Sequence, residues 1–166
     1  CSQWVRTFSL RVLYRCYPFI SYCINHRLAF PPKKNILSLM LVFTIRVYGI
    51  LINNKKQVLV SDEYIRGNYY TKFPGGGLEF GEGTRDCLKR EFKEEMDLEV
   101  EIGEHLYTTD FFQMSAFRAD QQILSIYYMA RALEEIKAPL RDKIFDFDER
   151  QLAVYNDTGE TETFRF

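Results

Sequence analysis

Residues 73–98 restrict the fold more than any other part of the sequence. Phe73-Pro74 ends an extended segment, five glycines fall among the nine residues Gly75 to Gly83, and a helix follows, capped by Thr84 and running to about Asp97. At 100° per residue, Leu88, Phe92 and Met96 lie within about 80° of one another and predict a buried stripe. Glu91, Glu94 and Glu95 fall in a neighbouring arc of about 100°. Carboxylates at i, i+3 and i+4 repel one another by a few tenths of a kcal/mol per pair. A hard divalent cation reverses the sign of that interaction, because Mg²⁺ takes carboxylate oxygens and water in octahedral array.

Around this segment the pattern is of strands. Val42 to Ile52 is β-branched and aromatic, Asn53-Asn54-Lys55-Lys56 is a polar turn, and Gln57 to Val60 is a second strand, so the two are expected to form a hairpin. Tyr69 to Phe73 is a short strand ended by Pro74. Further strands are expected at 98–102, 106–112 and 122–133. Strands around a helix without regular βαβ alternation predict a mixed sheet in a layered α/β or α+β domain.

Charge divides the chain. Residues 1–61 carry nine Lys or Arg and no acid, whereas residues 62–166 hold 13 basic and 23 acidic residues, a net of −10. The acidic part repels polyanions, so nucleic acid is not expected as a partner. Residues 1–39 are aromatic and dotted with arginine. They are read as an N-terminal extension: upstream translation, a poorly ordered stretch, a presequence or a surface-binding amphipathic segment. Residues 40–166 are read as the domain. No apolar run reaches the roughly 18 residues of a membrane-spanning helix, and a membrane is not expected as a partner. The four cysteines, Cys1, Cys16, Cys23 and Cys87, form no Cys-x-x-Cys pair, which favours reduced thiols in a cytoplasmic protein over a metal site or a disulfide scaffold.

From Gly76 the chain reads Gly, five residues, Glu82, seven residues, Arg90-Glu91-Phe92, one residue, Glu94-Glu95, one residue, Asp97-Leu98. This resembles the signature box of the Nudix hydrolases, with Asp97 in place of the family's glycine. The chance of the matching positions arising in a chain of average composition is on the order of 10⁻⁶. The substituted position ends the helix in a left-handed conformation, which Asp tolerates better than most residues. The resemblance implies a Nudix-type α/β/α sandwich with a mixed sheet. The family's closing helix follows its late strand, here resembled by residues 162–166, so the domain is expected to lack that helix and to be truncated at its C-terminus.

The resemblance further implies hydrolysis of a pyrophosphate bond in a nucleoside diphosphate linked to another moiety, with Mg²⁺ or Mn²⁺ as cofactor. The substrate would be a nucleoside triphosphate or a nucleotide-sugar-like molecule. Carried over by position, Glu94, Glu95 and the carbonyl of Gly75 would bind metal. Glu91 would be a further ligand or would orient and deprotonate water, and Glu82 would add a direct or water-mediated contact. Arg90 would hold the carboxylates in place through ion pairs. Glu160 and Glu162 are candidates for a base outside the box, and Tyr69, Tyr70, Phe111 and Phe112 for a surface that stacks a nucleobase. Cys87 is read as a packing residue. A homodimer is compatible with the resemblance, and the alternative to an enzyme is a catalytically silent, nucleotide-binding regulatory domain.

Overall fold

The computed structural model describes residues 42–166, so the reading of residues 1–39 as an extension lies outside the described residues. The elements are β1 (Val42–Leu51), β2 (Val60–Ile65), β3 (Asn68–Lys72), β4 (Gly75–Gly77), α1 (Thr84–Met96), β5 (Val100–Thr108), β6 (Gln121–Ala132), α2 (Glu149–Thr158) and β7 (Glu160–Arg165). They form a four-stranded sheet in the order β4-β1-β6-β5 and a three-stranded sheet in the order β3-β2-β7. The first sheet is mixed, as the absence of βαβ alternation predicts: β1 runs parallel to β6 and antiparallel to β4, and β5 runs antiparallel to β6.

The apolar run of β1 is explained by burial on both faces. Val47 and Leu51 join the core beneath α1, together with Leu88, Phe92, Met96, Leu98 and Val100. Tyr48 points the other way and stacks on Tyr127, with ring centroids 5.5 Å apart. One glycine sets how closely helix and sheet approach. A Cβ on Gly49 would lie 2.6 Å from Cε2 of Phe92, well inside carbon contact distance. The predicted stripe of Leu88, Phe92 and Met96 is the buried face of α1.

Several local expectations are corrected. The hairpin between residues 42–52 and 57–60 does not form beyond one isolated bridge, Ile52 to Val58. Both edges of β1 are already taken by β4 and β6, so the chain crosses to the other sheet, where β2 pairs with β3 and β7. The strands expected at 98–102 and 106–112 are one strand, β5, interrupted by irregularities between Ile102 and Tyr107. Thr84 is the first residue of α1 rather than its cap, which is Gly83. Its hydroxyl instead meets the Tyr128 hydroxyl at 2.8 Å. At the other end Asp97 adopts the left-handed conformation (φ 50°, ψ 39°) that the family's glycine would supply, and the Lys93 ammonium lies 2.5 Å from its carboxylate.

Helix α2 has no counterpart in the sequence reading and lies against the second sheet. Asp148 accepts from the backbone of Gln151 while the Gln151 side chain accepts from the backbone of Asp148, a reciprocal cap that closes its first turn. Tyr155 of α2 stacks on Tyr64 of β2 with centroids 3.9 Å apart. Beneath them Asp62, fully buried, accepts from the Thr71 hydroxyl (2.7 Å), the Phe145 backbone (3.1 Å) and Nε of Arg165 (2.7 Å). This knot joins β2, β3, β7 and the approach to α2.

Candidate active site

The short strand β4 lies beside α1, and the absence of side chains on Gly75, Gly76 and Gly77 lets the glutamates of the helix reach its backbone. A Cβ on Gly76 would fall 2.4 Å from Oε2 of Glu91, so the Glu91 carboxylate occupies the space a larger residue would fill. Gly75 has φ +129°, and a Cβ there would meet the Val47 carbonyl oxygen at 2.2 Å. Glycine is required at this position on both counts. Its backbone N–H donates to Oε2 of Glu95 at 3.3 Å.

Arg90 ties the outer part of the cluster together. Its guanidinium donates from Nη2 to Oε1 of Glu82 (2.8 Å) and from Nε to Oε2 of the same carboxylate (3.2 Å). It also donates to Glu91 (2.9 Å), Glu94 (3.0 Å) and the carbonyl of Gly77 (3.1 Å). The bonds from Arg90 and from the backbone N–H of Glu79 hold the Glu82 carboxyl down at about 2. Cys87 is fully buried, and burial pushes its thiol up to about 12. A thiol so protonated is a packing residue and no nucleophile.

Glu94 stands apart from the other two helix glutamates. Its side chain is 61% exposed and turned to Arg90, whereas those of Glu91 and Glu95 are 14% and 12% exposed. Glu91 and Glu95, with Gly75 to Gly77, line a cleft of about 510 Å³ that also receives Arg46, Glu63, Lys72, Glu160 and Glu162. The structure therefore gathers Gly75, Glu91 and Glu95 at the cleft, with Glu82 and Glu94 joined to them through Arg90. Among the described residues no three His, Cys, Asp or Glu side chains are disposed as a ready-made metal cage. The cleft's donors are nonetheless carboxylate and carbonyl oxygens, the set that suits a hard divalent cation.

Three charged cleft residues, Arg46, Lys72 and Glu63, were not among the candidates the sequence offered. The Lys72 ammonium lies 2.8 Å from the Gly75 carbonyl oxygen, 3.1 Å from Glu95 and 3.1 Å from Glu63. Burial alone would lower its proton affinity, but Glu95, Glu63 and Glu162 outweigh burial and raise it. Burial likewise lifts the Glu95 carboxyl, with Lys72 acting the other way. The signal for Lys72 was a charged residue ending the strand immediately before Phe73-Pro74.

Glu160 and Glu162, the candidates outside the box, both reach the cleft from β7. Glu162 accepts from the Ser61 hydroxyl at 3.0 Å and lies directly opposite Glu63 across the β2–β7 pair. Burial, reinforced by the nearby Glu95 charge, pushes its carboxyl up to about 7. The aromatic candidates are elsewhere. Tyr69 packs with Tyr64 and Phe145, Tyr70 meets Phe117 edge-on, and Phe111 and Phe112 are exposed outside the lining of this cleft.

Comparison with known proteins agrees with this arrangement. The family model described as NUDIX domain matches residues 42–160. The chain belongs to the Nudix hydrolase family, whose members are pyrophosphohydrolases that act on nucleotide-type small molecules and generally use divalent metal ions. Among solved structures, a MutT protein from Methanosarcina mazei Go1 superposes with a TM-score of 0.51 at 18% identity, over 70% of this chain and 85% of that one. A NUDIX hydrolase from Nitrosomonas europaea gives a TM-score of 0.50 at 17% identity, over 73% and 70%. No curated protein matches significantly. No helix among the described residues is long and apolar enough to cross a membrane.

Proposed function

We propose that this protein hydrolyses a pyrophosphate bond in a nucleoside diphosphate linked to another moiety, a nucleoside triphosphate or a nucleotide-sugar-like molecule, with Mg²⁺ or Mn²⁺ as cofactor. The observation that carries this reading is the charge of the cleft. Five glutamates, Glu63, Glu91, Glu95, Glu160 and Glu162, line it beside two basic residues, Lys72 and Arg46, with Arg90 bonded to Glu91 from outside the lining. A polyphosphate entering that field meets net repulsion unless divalent cations come with it. A bound metal would supply charge neutralisation on the phosphate oxygens and an acidified water.

Glu91, Glu95 and the carbonyl of Gly75 would hold the metal from inside the cleft, with Glu94 completing the set from the lip. Arg90 is assigned to positioning: its bonds to Glu82, Glu91 and Glu94 fix the carboxylates before substrate arrives. Glu162 is assigned as the base that takes the water's proton. It reaches the cleft from β7, and burial lifts its affinity for a proton to about 7, which suits a base at neutral pH. Cys87, buried and protonated, offers no thiolate, and water is assigned as the nucleophile. A cytoplasmic site of action is part of this proposal.

A panel of nucleoside triphosphates and nucleotide sugars, incubated with Mg²⁺ or Mn²⁺ and followed by phosphate release and nucleotide chromatography, tests the reading. Metal-dependent formation of a nucleoside monophosphate from at least one class supports it. Binding of nucleotides without turnover of any of them would favour a silent regulatory domain instead.

A further inference from the structure

We propose that Lys72 is a tethered internal cation that competes with a divalent metal for the Gly75 carbonyl and the Glu95 carboxylate, so that metal entry and displacement of the lysine are one event. This rests on the metal site proposed above and adds to it a residue outside the signature box.

Three observations carry it. First, Lys72 touches the donor atoms assigned to the metal: Nζ is 2.8 Å from the Gly75 oxygen and 3.1 Å from Oε1 of Glu95. An ammonium on these atoms sits within a few ångströms of any metal ion bound to them, and two cations that close repel strongly in a buried site, so each weakens the other's hold. Second, the ammonium is built in rather than adventitious. The Lys72 side chain is only 10% exposed, and its backbone is fixed on β3 opposite Ser61, three residues before Gly75. Third, Lys72 has an anchor that is not part of the box. Glu63, 3.1 Å away, lies directly opposite Glu162 across the β2–β7 pair. Like charges directly opposite in a sheet destabilise it, and the Lys72 ammonium on Glu63 relieves that repulsion.

The flexible four-carbon stem lets the ammonium leave without backbone movement. Released from Gly75 and Glu95 it keeps Glu63 within reach and faces the open cleft, where the incoming anion is a substrate phosphate. Lys72 thus acts as a positioning residue. It neutralises the acidic cluster of the metal-free protein and is handed over to the substrate once the metal arrives.

The test compares Mn²⁺ binding by the parent and by Lys72→Met, read as free Mn²⁺ by electron paramagnetic resonance, with melting temperatures measured with and without metal. The expected result is Mn²⁺ affinity about tenfold higher in Lys72→Met, because a competing charge at the same donors is gone. The metal-free variant should melt lower than the parent, and saturating Mn²⁺ should raise its melting temperature more than it raises the parent's. Equal or weaker Mn²⁺ binding by Lys72→Met, with the parent binding normally, overturns the proposal and leaves the metal-dependent reaction standing. If the parent itself takes up no Mn²⁺ at millimolar concentrations, the metal site fails and this proposal with it. Should Lys72→Met not fold, amine-selective methylation of the parent mapped by mass spectrometry gives a second readout. Mn²⁺ is expected to increase modification at Lys72, and an unchanged or decreased rate overturns the proposal.

Discussion

Replacing Gly49 with alanine tests how the sheet positions the acidic helix. The added Cβ would sit 2.6 Å from Cε2 and 2.9 Å from Cζ of Phe92, and 3.2 Å from Cβ of Ala130. Carbon atoms in contact prefer about 3.5–4.0 Å, so the ring must retreat by about 1 Å. Phe92 is fully buried and shares its core with Leu88, Met96 and Val47, which leaves little space to retreat into. Overpacking of this kind costs about 1–3 kcal/mol. A loss of about 2 kcal/mol lowers the melting temperature by roughly 5–10 °C in a domain of this size. Because Phe92 lies between Glu91 and Glu94 on the same helix, its displacement also moves the carboxylates. A misplacement of about 1 Å is enough to lower turnover by about 10²-fold. Urea denaturation and steady-state kinetics of Gly49→Ala, Phe92→Leu and the double variant measure both effects. The smaller leucine should recover at least about 1 kcal/mol of the loss in the double variant, a coupling that neighbouring residues commonly show. A Gly49→Ala protein within 0.5 kcal/mol of the parent, or a Phe92→Leu cost that is the same in both backgrounds, would refute the reasoning.

Other consequences are equally direct. Asp62→Ala leaves the Arg165 guanidinium without its buried carboxylate and should cost about 3–5 kcal/mol in urea denaturation; a cost under about 1 kcal/mol would show that the knot is not structural. Glu162 binds its proton more tightly in the folded state, at about 7, than in the unfolded chain, at 4.5, so its contribution to stability is full below about pH 4.5 and is lost as pH rises through 7. Glu162→Gln should therefore abolish a decline of roughly 1–3 kcal/mol across that window in the metal-free protein, and an unchanged profile would contradict the burial argument. Carboxyls held down in the fold, such as Glu82, act in the opposite sense and only below about pH 4.5, so the two windows separate.

What the sequence revealed followed from how local each signal is. The stripe of Leu88, Phe92 and Met96 and the arc of Glu91, Glu94 and Glu95 belong to one helix, so spacing alone separates its faces. The left-handed end at Asp97 was legible from the resemblance, because the family's glycine stands at that position. The hairpin expected after Leu51 failed because strand pairing is decided by distant competitors: β6, some 70 residues later, and β4 take both edges of β1. Helix α2 was missed because none of its residues is buried and its apolar positions, Leu152, Val154 and Tyr155, form no stripe. The Asp148–Gln151 cap was its available signal. In the site, the arc on α1 promised three convergent carboxylates. The fold instead turns Glu94 outward to Arg90 and brings Glu63 and Lys72 to Glu95 from another sheet. Such a juxtaposition across sheets leaves almost no local trace, apart from a lysine between Thr71 and Phe73 at the end of a strand.

The proposed reaction requires the acidic face of α1 to act with a divalent metal. Glu94→Gln probes this with the least structural disturbance, since its side chain is largely exposed and, among the described residues, held by Arg90 alone. The decisive measurement is turnover of a nucleotide substrate against Mg²⁺ concentration for the parent and this variant side by side. Parent activity should rise from background with Mg²⁺ and vanish with chelator, while Glu94→Gln at saturating Mg²⁺ should be slower by about 10²-fold or more, with an unchanged melting temperature. Parent turnover that survives chelation, or a variant within about threefold of the parent, would contradict it.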